Sequence, residues 1–478
     1  MRKNKSPLHK KIRVLIGNPY IVISFVTAIF LVSSLFHILT QNVGLPSAYS
    51  TALFIISILF LIVMYTLLKK KESKRILLWI FLVSLIFEAM IFLAIPLDTG
   101  KWSDARGYHN LAIFTVDKGP LYLIENYHRL MSWNSSFCPD AKERLERLVK
   151  NEELSGFIEE KIQIQNELDL SAYNFTEYRA DRPGIHPPGW ILTLYLFVLL
   201  FGRAEGVVIL AEFVLASVLS AVVYWFLRKN ADFDISLFLT FLFMLIPSFL
   251  IHSASPLMDI PITISIVLSI IFYSELMRTH KIKHFALASI FFSVALFTKF
   301  ISIFFYLLFL LITLIKKGEK RTFMSFLLIS MAPILLLVFL NYYYFLNVIS
   351  SFVFASCAQD KLGAPSWLFF ITHFPKEIIT LLSIPLLYLI AINTLEISLK
   401  KRKSEREKMM LAYLGCFLLF GFLVAMGISR LLFMFSPLLL LLAIGHAKKD
   451  FKLKFVYFSI AISAVQLFTL LILNVLNV

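Results

Sequence analysis

Apolar residues run along most of this chain in blocks of about 20, each closed by a short polar link. A helix rises 1.5 Å per residue, so a block of about 20 residues crosses a hydrocarbon core of roughly 30 Å. Lipid satisfies no backbone N–H or C=O group, so such blocks must be helical. The blocks are 19–39, 49–68, 76–96, 206–227, 235–251, 260–277, 285–297, 301–315, 323–340, 378–397, 410–426, 431–444 and 455–473. The pattern predicts an all-α, polytopic membrane protein of about thirteen transmembrane helices with a helical outer-face loop region. One more apolar run, 190–201, is too short to span and is expected to lie in the interface or to dip in and return.

The polar links set the orientation. MRKNKSPLHKKIR, KKKESKR, RKN, RTHKIKH, KKGEKR, KKRKSEREK and HAKKDFKLK fall on alternate links, with weakly basic links between them. The positive-inside rule places these clusters and the N-terminus in the cytoplasm, and the C-terminus outside. The first apolar run exceeds a signal-peptide core and lacks a small-residue cleavage site, so it is expected to stay as an anchor. The chain then divides into N-terminal transmembrane helices (1–96), an extracytoplasmic loop with amphipathic helices (97–204) and a transmembrane bundle (205–478). Within the loop, CPDAKERLERLVKNEELSGFIEEKIQIQNELDL sets apolar residues at helical spacing, and its acids read as a solvated helix face.

Composition agrees with the pattern. At 59% hydrophobic the chain has too few polar residues to clothe a soluble domain. The net charge of +16 would suggest nucleic acid in a soluble protein; here the cations sit in the links as topology signals, and no nucleic-acid partner is expected. Cys138, Cys357 and Cys416 lack metal-ligand spacing. Cys138 and Cys357 both fall outside, where an oxidising compartment would let them pair.

Candidate chemistry collects on the outer side: Asp98, Asp104, Arg106, Tyr108, His186, His252, Asp259, Lys299 and Arg430. Each has a bland alternative. Asp104 can cap the helix that follows, His186 in His-Pro-Pro-Gly can punctuate a turn, and Asp259 can be a helix-start acid. Lys299 and Arg430 can snorkel to headgroups. Their joint occurrence on one side, with cations suited to a phosphate, weighs against those alternatives. Asp104 and Tyr108 stand four apart, on one face if a single helix carries both. Asp232-Phe-Asp234 looks like a paired-carboxylate metal motif but falls on a cytoplasmic link, and reads as loop polarity.

At these residues the chain resembles the lipid-phosphate-sugar-dependent, GT-C-type glycosyltransferases, in particular the protein O-mannosyltransferases and the bacterial aminoarabinose transferase of lipid A. SDARGYHNLA resembles the first-loop acidic motif, with Ala105 where a second acid often stands. IHPPGW, SPLMDIP, ALFTKF and SRLLFMFSPLLLLLA resemble the later elements, in order. The resemblance implies transfer of a sugar, with inversion, from a polyprenyl or dolichyl monophosphate donor to a lipid, glycan or protein acceptor on the extracytoplasmic face. Asp104 would be the general base, and Lys299 and Arg430 would stabilise the departing phosphate. Asp259 and His186 would position substrate, with Arg106 and Tyr108 beside them. No cofactor is required by this chemistry, and a divalent metal stays open. The implied setting is a multi-pass protein of a prokaryotic plasma membrane. A transporter or flippase of lipid-linked sugars is the competing reading; it predicts charges near mid-membrane and broken helices, whereas the candidates above lie at the outer rim.

Overall fold

The computed structural model describes residues 19–41, 48–70, 75–94, 103–124, 188–254, 257–340, 374, 377–379, 381–423, 432–450 and 452–472. Among the described residues the fold is helical throughout, with no strand. The first three helices are α1 (Pro19–Gln41), α2 (Ala48–Lys69) and α3 (Ile76–Ala94), followed by α4 (Ser103–Lys118) and α5 (Gly189–Phe201). Then come α6 (Glu205–Arg228), α7 (Phe233–Met244), α8 (Pro247–Ala254), α9 (Asp259–Thr279), α10 (Ile282–Thr298), a 3-10 turn (Phe300–Phe304) and α11 (Phe305–Ile315). The chain ends with α12 (Lys320–Leu340), α13 (Ile384–Ser398), α14 (Glu405–Leu423), a second 3-10 turn (Phe433–Phe435), α15 (Ser436–Asp450) and α16 (Leu453–Ile472).

Among the described residues six helices are long and apolar enough to cross a membrane, or seven if the bent pair α7 and α8 counts as one span. The expected thirteen is not confirmed. Several blocks form shorter apolar helices, such as α10, α11 and α13. The block 235–251, expected as one span, is broken into α7 and α8 with a bend of 63°. Pro247 begins α8; it has no N–H to donate, and its ring collides with the carbonyl four residues back, so α7 cannot run through it. The 13-residue α5 is about 20 Å long, short of the membrane core as expected.

The core is the set of inward faces of these helices. α9 and α10 form a hairpin closed by His280, in the left-handed conformation at φ 54°, whose N–H reaches the Leu276 carbonyl at 2.8 Å. Around it Tyr273, Phe292, Phe309 and Phe326 pack ring against ring, with centroids 4.7 to 5.0 Å apart. The outward faces stay apolar, as Ile55, Ile56, Leu59 and Val63 on α2 do, because their solvent is lipid.

Several hydroxyls inside the bundle are satisfied locally. Thr240, Thr263, Thr313 and Ser330 each donate to the carbonyl four residues earlier, the cheapest partner in an apolar helix. At the start of α13 the Ile384 N–H donates to Gln466 Oε1 of α16 at 2.7 Å, while Gln466 Nε2 donates to the Ile379 carbonyl at 2.8 Å. This buried helix start is thus capped by another helix's amide. α14 begins with a capping box: the Ser404 N–H donates to Glu407 Oε2 at 2.8 Å, and the Glu407 N–H to Ser404 Oγ at 3.3 Å.

Candidate active site

Asp259 opens α9, and Lys299 is the extended residue that ends α10 (φ −155°, ψ 121°). Because α9 and α10 pack side by side and antiparallel, the first residue of one meets the last of the other. Lys299 Nζ donates to Asp259 Oδ1 at 3.0 Å, with the two side chains 6% and 0% exposed. The snorkelling alternative for Lys299 therefore does not hold: its ammonium is turned inward, onto a carboxylate. Asp259 is a helix-start acid, but a mere start signal would be solvated, and this one is enclosed.

His252, on α8, joins the pair. Its Nδ1 lies 3.8 Å from Asp259 Oδ2, and its ring packs against Phe433 at a tilt of 38°, with centroids 4.6 Å apart. The break at Pro247 makes this possible, since it swings α8 back over the start of α9. The Asp259 carboxylate thus holds an ammonium on one oxygen and faces an imidazole with the other. A buried carboxylate that fixes a lysine gives a preorganised positive charge.

Of two acids outside the sequence-derived set, Glu212 approaches Asp259 and Glu88 approaches Glu212. Glu212 of α6 is fully buried, with Asp259 and Glu88 within electrostatic reach. The Leu257 amide faces it short of hydrogen-bond geometry, and neither carboxyl oxygen has a hydrogen-bond partner. Glu88 of α3 accepts from Ser84 Oγ at 2.5 Å, and Ser84 in turn meets Ser220 Oγ of α6 at 2.8 Å. Glu88 lies six residues and Glu212 seven, about 9 to 10 Å, inside its helix from the end expected outside. Unlike the sequence-derived candidates, which fall at the ends of apolar blocks, these two acids lie within apolar helices. The signal was legible: a lone Glu in IFLVSLIFEAMIFLA or VVILAEFVLASV is costly in lipid and marks a site.

The remaining sequence candidates divide in two. Asp104, Arg106 and Tyr108 share α4, which already includes Ser103, so Asp104 lies in the first turn rather than at the cap. The helical register sets position 104 on the same face as Tyr108, and Tyr108, Leu111, Ala112 and Thr115 form a buried stripe. The side chains of Asp104 and Arg106 lie outside the described residues, as do Asp98, His186, Arg430, Cys138, Cys357 and the segment 139–170. The motif around His186 is nonetheless anchored. Gly189 opens α5 against the end of α10, where a Cβ would stand 2.7 Å from the Phe297 carbonyl oxygen, two residues before Lys299. At its other end α5 is tied to α4: the Arg203 carbonyl lies 3.1 Å from His109 Nε2, and the Arg203 guanidinium pairs with Asp117. Among the described residues no three or more His, Cys, Asp or Glu side chains converge to hold a metal ion; Asp104 and His186 stand outside that comparison. Asp232 and Asp234 sit at the start of α7, in the N-cap position and first turn, away from this site.

The family described as dolichyl-phosphate-mannose-protein mannosyltransferase matches residues 185–345. The match supports a GT-C-type membrane glycosyltransferase. The matched stretch holds His252, Asp259 and Lys299, and also Glu212. No curated protein matches the chain.

Proposed function

We propose that the chain moves a sugar from a polyprenyl or dolichyl monophosphate donor to an acceptor hydroxyl or amine at the extracytoplasmic face of a prokaryotic plasma membrane, with inversion. The observation that carries this reading is the buried Asp259–Lys299 pair inside the matched stretch. The acceptor oxygen or nitrogen attacks the anomeric carbon as the bond from that carbon to the phosphate oxygen breaks. The acceptor's proton passes to Asp104, and the electron pair leaves on the prenyl phosphate. Lys299, held by Asp259, and Arg430 stabilise that phosphate; His186, Tyr108 and Arg106 position the substrates. The family's description favours mannose as the sugar and a protein as the acceptor. Purified protein in membranes, given a panel of prenyl-phosphate sugars, is expected to transfer one of them and to lose transfer in Asp104→Asn while staying folded. Near-normal turnover in that variant overturns the assignment of the base.

The buried carboxyls Glu88 and Glu212, with the broken α7–α8 pair, favour a second reading as a transporter of lipid-linked sugars. Flux of a prenyl-phosphate sugar across sealed vesicles, without new glycosidic product, selects it.

A further inference from the structure

A second polar site lies at the other end of α9. Glu275 is sixteen residues beyond Asp259, about 24 Å along the helix. There the ends of α6, α9 and α11 and the start of α14 enclose a cavity of about 330 Å³. Lys229, Arg278, Lys316 and Arg406 line it against two carboxylates, Glu275 and Glu405. The pairing inside is uneven. Lys229 and Arg278 both bond the single Glu275. Lys316 donates to the Ser274 carbonyl at 3.2 Å, with Glu275 and Glu405 acting on it only through space. Arg406 has no hydrogen bond or ion pair among the described residues; Asp232 acts on it from a distance. Arg406 is exposed, whereas Lys316 is half-buried, and burial lowers its pKa. Neither cation touches an anion among the described residues, and Lys316 also gives up part of its hydration, an arrangement that an incoming anion relieves.

Part of the wall is apolar, from Phe226, Ile271 and Met409. The cavity sits where apolar helices end in Lys229, Arg278 and Lys316, which is headgroup level. The basic links at this end mark it as the cytoplasmic leaflet, where anionic lipids gather.

We propose that this cavity binds the phosphate of an anionic glycerophospholipid, with Lys316 and Arg406 on the phosphate oxygens and the glycerol end against the apolar wall. The site is separate from the sugar-transfer site and does not depend on that assignment.

The test uses the full-length protein in phosphatidylcholine nanodiscs with phosphatidylglycerol titrated in, bound lipid being counted by native mass spectrometry. Lys316→Gln/Arg406→Gln is expected to weaken phosphatidylglycerol binding about thirtyfold, the loss of two cations at an anionic headgroup. Glu405→Gln removes a competing carboxylate and is expected to tighten it several-fold. Phosphatidylcholine retention and melting in pure phosphatidylcholine stay unchanged. Unaltered phosphatidylglycerol binding in the double variant overturns the proposal; should that variant not fold, absence of tightening in Glu405→Gln does so alone. Inorganic phosphate that displaces the lipid and is itself lost in the double variant assigns the cavity to a soluble phosphate and overturns the lipid.

Discussion

Gly189 and Phe297 stand so close that a methyl group on Gly189 would lie 2.7 Å from the Phe297 carbonyl oxygen and 3.0 Å from its ring. This contact joins the His-Pro-Pro-Gly element to the helix end that presents Lys299. The obstacle is backbone, so it cannot swing aside. Gly189→Ala is expected to destabilise the protein by about 1–3 kcal/mol, as overpacking does. It should also lower turnover more than Gly206→Ala, where a Cβ meets nothing within 4 Å. Melting curves and transfer rates for the two variants check this, and equal behaviour would separate the two motifs.

Lys299→Met leaves Asp259 buried with its charge partner gone, which costs about 3–5 kcal/mol. Replacing both, as Asp259→Leu/Lys299→Met, removes the uncompensated charge and should recover most of that stability. Transfer should stay absent in both variants. A double variant that regains stability and turnover together would make the pair structural only.

Gln466→Leu strips the start of α13 of its cap. The Ile384 N–H and the Ile379 carbonyl each lose their bond to the Gln466 amide. Leaving a buried polar group unmade costs about 1–3 kcal/mol, so the variant should melt well below wild type. Hydrogen exchange should show the loss at Ile384 and its neighbours before it appears in α9.

Glu407 supplies a pH-dependent increment. Its hydrogen bond with Lys400, then those from Ser404, hold its carboxyl down at about 2. A depressed folded pKa means the charged form favours the folded state. The increment is therefore present at pH 7 and is lost as pH falls from about 4.5 toward about 2. Glu407→Gln keeps the capping geometry and removes only the charge. Its melting deficit against wild type should be small, because the group is solvent-screened, and should vanish across that window. A deficit that persists at low pH would assign the effect to the cap instead.

Hydropathy alone was enough for the class of protein and for where most of the apolar helices fall, though not for the number of spans or for the break in 235–251, because apolar length is a local property and lipid leaves helices as the available form. It also picked out Asp259 and Lys299 as polar residues at block ends. Their pairing could not be read there: it depends on how α9 and α10 lie side by side, forty residues apart in sequence. The break at Pro247 was visible as a proline, but its consequence, His252 swung onto Asp259, belongs to the packed chain. Glu88 and Glu212 stood in plain view as acids in apolar blocks. Only the packing of α3, α6 and α9 brings Glu212 within electrostatic reach of both Glu88 and Asp259, because which face of a helix meets which neighbour is decided by side chains distant in sequence.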